Sequence, residues 1–587
     1  MVNCLPRIIA ILVLLSTVAS SSYSAGKQES KTASILPKKE VTIQILQLND
    51  VYEFYNVSGG TLGGLARVAN RLKLLKAQNP NTFTVLSGDF ISPSAFGLLE
   101  DPDAPVTGGK RPQLSGKLMV NVLKALPVDF VTFGNHEFDY SAKDNKVLES
   151  LIKDSHDQMT WVSTNVMDGL TGQPFEHTVP WLVKEIDGAK FAFIGITLNI
   201  TGQSKKIAYK PPIDSAIALA KHLKETKLAD VVIALTHLPL EGPKDNIVDS
   251  DEALMKEIER VKKESGTTVI DLVLGGHEHE FSPKAFREKI FKADSNARSV
   301  IIHKVTFIKG SPGTTSDAVR VNSDIERVAR PEFDVEECVV PAKNPNCKDP
   351  SIDKVIADQL ATACRSLLTM TPRIDPDQVV GYTDSDLNGF EQELRKEPTN
   401  LGTLIGNTLQ NIPGYKIDGR DVVPVGAIYN SGGIRLDDVI PVGLVTEWQI
   451  RRMLAFPLMG KAYRIKGKRL LEMLAISEQK KNTGAYLQRS GGIMRTPNSS
   501  WQIEGQPILP DAEYVIASSP FVFSGRLEGF EAFKDSELAT KGELTVGNNE
   551  FSVENYLKDH FRRKYFNTFS ERSALPELET ERRMCPK

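Results

Sequence analysis

The stretch QILQLNDVYEF, residues 44–54, is an extended apolar run that stops at Asn49-Asp50. Begun at Val41 as VTIQILQL, it reads as a β-strand. A strand that ends at an aspartate is placed to deliver that carboxylate to a metal. Tyr52 follows two positions later, where an imidazole would be the ordinary second ligand.

The same grammar repeats along the chain. From about residue 40 to 330, short β-rich runs (TFTVLS, VDFVTF, AKFAFIGIT, DVVIALT, VIDLVLG) alternate with amphipathic stretches such as LARVANRLKLLKAQ, GKLMVNVLKAL and SAIALAKHLKETK. This alternation predicts an α/β layered domain. Most of its strands run into ligand-type residues: Asp50 after the first, Gly88-Asp89 after TFTVLS, and Gly134-Asn135-His136-Glu137-Phe138-Asp139 after VDFVTF. Thr236-His237 closes DVVIALT, and Gly276-His277-Glu278-His279 follows VIDLVLG. In open α/β sheets the carboxyl ends of strands share one rim where ligands gather.

The residue types suit two adjacent divalent or trivalent cations. Carboxylates hold the charge, one oxygen donor bridges, and imidazoles fix zinc, manganese or iron. Asp89 is the candidate bridge. Such a pair of cations roughly 3.5–4 Å apart suits hydrolysis of a phosphate ester or anhydride. A lone Gly-Asp after a strand is usually a turn, and a lone Thr-His is usually a surface or core histidine. GNHEFD and GGHEH differ, because an ordinary turn has no use for so many amides and imidazoles together.

The ordered set LQLND, GGLARV, LSGDF, FGNHEFD, STNV, GITL, LTH and GGHEH resembles one family: the exported 5′-nucleotidases and UDP-sugar hydrolases, with the related 2′,3′-cyclic-nucleotide phosphodiesterases. These belong to the calcineurin-like metallophosphoesterase superfamily. The likeness runs from about residue 40 to 565 and implies a four-layer α/β/β/α sandwich followed by an α+β 5′-nucleotidase C-terminal domain. By resemblance, one metal takes Asp50, Tyr52, Asp89 and His279, and the other takes Asp89, Asn135, His237 and His277. His136 and Asp139 look like the catalytic dyad, the imidazole acting on phosphoryl charge or on the leaving group and the carboxylate orienting it. Glu137 is either a support behind the ligands or a solvated loop charge. Tyr52 is either a phenolate ligand, which would favour ferric iron over zinc, or a wall residue beside a position filled by Glu53 or water.

In the second domain, AIYNSGGIR (427–435) resembles the family's substrate segment, which puts Asn430, Gly433 and Arg435 against the nucleotide. Arg395 lies near an expected phosphate-binding arginine. The family's two stacking rings are less well matched. Its usual Pro-Phe pair is inverted in AFPLMG, so Leu458 holds the ring position with Phe456 beside it. In FVFSGRLEGF, Phe521 survives without the expected Gly-Gly-Asp element. The expected domain plan is a signal peptide at 1–25, a metallophosphoesterase domain at 40–335, a linker and connecting helix at 336–375, and a C-terminal substrate domain at 376–570.

The 587 residues are 41% hydrophobic and 25% charged, enough for two or more cored domains. The 71 basic and 74 acidic side chains give a formal charge of −3, and no long basic block marks a nucleic-acid polymer as partner. Arg7 precedes the apolar run Ile8 to Ala19 and then SSSYSAGKQES, the layout of a secretory signal with cleavage expected between Ser21 and Ala25. Export to the extracellular space, or the periplasm in a bacterium, with no membrane span after cleavage, fits the remaining cysteines. Cys338 and Cys347 could close a local loop, which would leave Cys364 with Cys585 as the remaining option, and the sequence does not decide the pairing. Asn56, Asn199 and Asn498 begin glycosylation sequons. The expected function is hydrolysis of nucleotides or similar small phosphorylated metabolites by two metal ions. The alternatives are a secreted binding protein that lost turnover on the same scaffold, or a hydrolase of a non-nucleotide ester.

Overall fold

A computed structural model describes residues 39–141, 145–200, 206–242, 249–287, 289–310, 316–329, 344–370, 373–569, 574–578 and 583–585. The expected signal peptide, Cys4 and Cys338 lie outside them.

Two sheets face each other in the first half. The strand Glu40–Leu48 pairs in parallel with Thr82–Ser87, which pairs in parallel with Phe130–Thr132, inside a seven-stranded sheet whose antiparallel edge is Ser299–Ile308 and Ala318–Arg327. A five-stranded sheet holds Ala189–Thr197, Val231–His237 and Leu272–Gly275, also mutually parallel. Ile43, Ile45, Val85, Phe130, Phe191, Phe193, Val231 and Ile233 fill the space between the sheets. The outer face of the larger sheet packs on the helices Leu65–Gln78, Lys117–Ala125 and Lys146–Ser155 through Leu46, Leu48, Leu72 and Leu123. The outer face of the smaller sheet packs on Pro212–Glu225 and Asp251–Ser265 through Ile194, Ala216, Ala234 and Leu254. This is the expected four-layer α/β/β/α sandwich. Its central strands are buried on both faces, which is why they read as dense apolar runs.

The expected connecting helix forms as Pro350–Thr369, with Asp349 accepting from the backbone of Ser351 and Ile352 at its start and Pro350 in the first turn. It is no free tether. Ile352, Ile356, Ala363 and Leu367 join the outer helical core of the first half. Cys364 on this helix is bonded to Cys585, with Cα atoms 5.8 Å apart, so the chain end is stapled there. Cys347 is also disulfide-bonded.

The second half is built on a six-stranded sheet that includes Gly426–Asn430, Met459–Lys466 and Glu513–Ser518. Helices Asn400–Gln410 and Val553–Thr568 cover one face and Gly467–Gln479 the other. Gly426–Asn430 runs parallel to Glu513–Ser518, so the loops bearing Asn430 and Phe521 leave the same edge. No helix among the described residues is long and apolar enough to cross a membrane.

Candidate metal centre

Parallel strands place the ends of both sheets at one rim. Asp50 lies two residues past Leu48, Asp89 two past Ser87, Asn135 three past Thr132 and His277 two past Gly275, while His237 ends its own strand. Asp50, Asp89, His277 and His279 have φ angles of 52°, 56°, 87° and 58°. Left-handed backbone costs a non-glycine residue roughly 1–3 kcal/mol and persists only where its surroundings enforce it. Four such residues gather at this one rim.

One donor atom each from Asp89, His237 and His277 lies within 4.8 Å of the others, and the same holds for Asp50, Asp89 and His279. Asp89 is common to both groups. Asn135 Oδ1 is 3.1 Å from His277 Nδ1, on the side of the first group. The Tyr52 hydroxyl stands 2.9 Å from His279 Nε2 and 3.1 Å from Asp89 Oδ2, inside the second group, and the residue is only 5% exposed. Glu53 points elsewhere: its Oε1 accepts from Arg452 Nε at 3.1 Å. The alternative in which Glu53 replaces a ligand at position 52 therefore has no support in the geometry.

The donor set fits cations. Asp50 Oδ1 and His237 Nε2 are buried with no hydrogen-bond partner among the described residues, although the imidazole nitrogen stands 3.2 Å from Asp89 Oδ2. Buried polar atoms left in this way are costly unless something else meets them. Burial opposes charge on Asp89, yet His237 and His136 outweigh it and hold the carboxyl well below its usual range. Burial likewise works against a charged His237, but Asp89 and Asp50 push it up to about 9. Mixed oxygen and imidazole donors of this kind suit zinc, manganese or iron.

The support is built from the same loops. Glu137 is 1% exposed and accepts from the backbone N–H groups of Asp89, Phe90, Ile91 and Gly134. Burial and the Asp89 carboxylate push its pKa up to about 7. The reading of Glu137 as a solvated loop charge is therefore corrected: it pins the loop that carries Asp89. A Cβ on Gly134 would stand 2.1 Å from Asp89 Oδ1, and one on Gly276 2.3 Å from the Ser87 carbonyl, so both glycines are required for close approach. Ser87 O lies 2.8 Å from His237 Nδ1 and orients that ring. Lys292, buried behind GGHEH, donates to the carbonyls of Leu238 and Gly276 and pairs with Asp251 and Glu278.

His136 sits beside the cluster. Its N–H donates to Asp89 Oδ1 at 2.8 Å, and its Nδ1 is 2.8 Å from Asp139 Oδ2, which also accepts from Ser92 Oγ. Burial disfavours the imidazolium, but Asp139 and Asp89 more than offset it and move the pKa up. Arg435 reaches from the second half to within 3.3 Å of His136 Nε2. Arg395 and Arg435 converge on Glu391 at 2.8 and 3.5 Å, and the Nε atoms of both are buried without a hydrogen-bond partner among the described residues. Asn430 and Gly433 frame the turn between the sheet and Arg435. Phe521 and Phe456 are 41% and 44% exposed, whereas Leu458 is buried in the core.

Residues 43–281 match the calcineurin-like phosphoesterase family, and residues 379–535 match the 5′-nucleotidase C-terminal domain. The chain belongs to the 5′-nucleotidase family. Members of this family are metal-dependent phosphoric ester hydrolases. This 5′-nucleotidase-family chain is similar to the cell wall protein Lmo0130 of Listeria monocytogenes, with 23% identity covering 94% of this chain and 70% of that protein. Protein UshA of Escherichia coli is 21% identical, covering 89% of this chain and 91% of its own length. The crystal structure of a 5′-nucleotidase precursor from Thermus thermophilus shares the fold, with a TM-score of 0.62 at 18% identity over 89% of this chain and 97% of that one.

Some functional contacts of this 5′-nucleotidase-family chain are absent from the sequence reading. Asp437 Oδ2 lies 3.1 Å from His279 Nδ1, and Asn296 Oδ1 accepts from the backbone of Tyr52 and Glu53. Arg452 joins Glu53 to Asp438, while Trp448 Nε1 donates to the Tyr55 hydroxyl at 3.0 Å. The acidic pair that follows GGIR in GGIRLDD was the available signal.

Proposed function

We propose that the chain is an exported phosphoesterase that uses two metal ions to hydrolyse nucleotides or similar small phosphorylated metabolites. The observation that carries this reading is Asp89, shared by two donor groups, with the His136–Asp139 pair against it and Arg435 facing them from the second half. In it Asp50, Tyr52, Asp89 and His279 hold one ion, and Asp89, Asn135, His237 and His277 hold the other. Bound there, the ions supply an activated water and neutralise phosphoryl charge. His136 protonates the leaving oxygen or steadies charge on the phosphoryl group, with Asp139 orienting its ring. Arg395 and Arg435 offer planar forks to phosphate oxygens, Asn430 and Gly433 shape the turn beside them, and the exposed Phe521 ring supplies a face for a base.

The domain plan proposed with this function is a signal at 1–25, domains at 40–335 and 376–570, and the helical connection at 336–375. The name of the cell wall relative supports export. Asn199 and Asn498, both exposed, are the sequon asparagines open to glycosylation in a eukaryotic host, whereas Asn56 is half-buried and Ser58 of its sequon donates to Asp438.

The test is phosphate release from a panel of 5′-nucleotides, nucleoside diphosphate sugars, 2′,3′-cyclic nucleotides and simple phosphomonoesters. Release from at least one nucleotide class, lost on chelation and restored by manganese, zinc or iron, is expected. Fewer than one bound metal per chain with no release from any member would favour a binding protein instead.

Tyr52 gives a spectroscopic prediction. A buried phenol oxygen among hard carboxylate donors favours ferric iron. The iron-loaded protein is expected to show a visible phenolate-to-iron band that vanishes in Tyr52→Phe. An iron-loaded protein with no such band would remove Tyr52 from the ligand set.

A further inference from the structure

The two donor groups are anchored differently. His237 is oriented by the Ser87 carbonyl, within the first half of the chain. His279 is oriented from the second half. Its Nδ1 is 3.1 Å from Asp437 Oδ2, while its Nε2 faces the Tyr52 hydroxyl at 2.9 Å and Asp50 Oδ1 at 3.3 Å.

Asp437 is held firmly. It is 5% exposed, its Oδ2 also accepts from Ser295 Oγ, and its Oδ1 accepts from the Glu391 N–H at 3.1 Å. Asn296 Nδ2 donates to its carbonyl at 3.4 Å. Its φ of 40° lies in the left-handed region, an unfavourable conformation that its contacts on both sides maintain. Glu391 Oε1 is 3.5 Å from the same imidazole nitrogen, but it is closer to Arg395, at 2.8 Å. Asp437 is therefore the main acceptor at Nδ1. Carboxylates on that side keep the proton on Nδ1 and leave the Nε2 lone pair for the donor cluster.

We propose that Asp437 is a positioning residue delivered by the second domain, so that metal retention by Asp50, Tyr52, Asp89 and His279 depends on the two domains being docked. The inference rests on His279 being a metal ligand. Retention by Asp89, Asn135, His237 and His277 does not share this dependence. Asp437 follows Arg435 by two residues, so one short segment touches both His136 and His279. A cavity of about 490 Å³ is bordered by His279, Asp437, Arg298 and Phe390, which leaves room for water to take the place of a removed carboxylate. Removing the carboxylate should therefore weaken binding rather than abolish it.

The experiment measures stoichiometry and affinity for manganese and zinc by chelator competition on the full chain. Loss of a partner that orients a metal-bound imidazole typically costs about 10–100-fold in affinity. Asp437→Ala is expected near the upper end for one of the two ions and Asp437→Asn near the lower, with the other ion unaffected. At saturating metal, kcat should return toward the wild-type value. If Asp437→Ala keeps both ions at wild-type affinity, or loses both together with a lowered melting temperature, the proposal is overturned. If wild type takes up no metal, the functional reading itself fails, which separates the two outcomes.

Discussion

Asp89→Ala is expected to reduce phosphate release by on the order of 10³-fold or more. The carboxylate is the one residue common to both donor groups, so its loss weakens both ions together. Metal assistance supplies several kcal/mol of transition-state stabilisation, and ~4 kcal/mol corresponds to roughly 10³-fold in rate. The variant also leaves the His136 N–H without the oxygen it now meets at 2.8 Å, whereas the Tyr52 hydroxyl keeps His279 Nε2 at 2.9 Å. Each unpaired buried donor costs about 1–3 kcal/mol, so a lowered melting temperature should accompany the loss. Asp89→Asn separates the two effects, since its amide oxygen still accepts a hydrogen bond while the charge is gone. Metal counts below two per chain in a well-folded Asp89→Asn are the expected result. Near-wild-type turnover in that variant would remove Asp89 from the bridging role.

His136→Ala is the second large effect, with an expected fall in kcat of about 10²–10⁴-fold, the usual range for a positioned acid or base. Here the metal count should stay unchanged, because the imidazole lies outside both donor groups and faces Asp139 and Arg435 instead. The contrast with Asp89 is the useful measurement: one variant loses metal and rate, the other rate alone. A His136→Ala protein that loses its metals would show that the ring acts through the ligands.

Much of the first half was legible because its signals are local. LARVANRLKLLKAQ forms a helix over Leu65–Gln78 and AKFAFIGIT a strand over Ala189–Thr197, with the ends read from the sequence. A central strand has one dense apolar pattern whatever lies on either side, and the residue after a parallel strand must emerge at its carboxyl edge. Asp50, Asp89, Asn135, His237 and His277 are gathered at one rim for that reason. The pairing of Cys364 with Cys585 was one option among four cysteines whose connectivity the sequence left open, and the structure forms it.

Contacts between segments distant in sequence, above all those that cross between the halves, and the local turn of backbone toward a side chain were not legible. Glu53 looked available as a ligand beside Tyr52, but its partner is Arg452, nearly 400 residues away. Glu137 looked as much a surface charge as a support, since nothing in GNHEFD says that four backbone N–H groups turn toward it. Asp437 had no metal-ligand spacing and acquires meaning only from the docking of its segment on His279.

The sequence by itself determined the layered α/β architecture, the order of the ligand-bearing strand ends and the oddity of a tyrosine at position 52. Periodicity and strand-end chemistry are written in neighbouring residues. Tertiary structure decided where the Tyr52 hydroxyl points, which carboxylates turn away to arginines, and which half of the chain orients each imidazole. Those choices depend on distances between residues hundreds of positions apart, set by how two separately cored halves dock, and no local pattern records them.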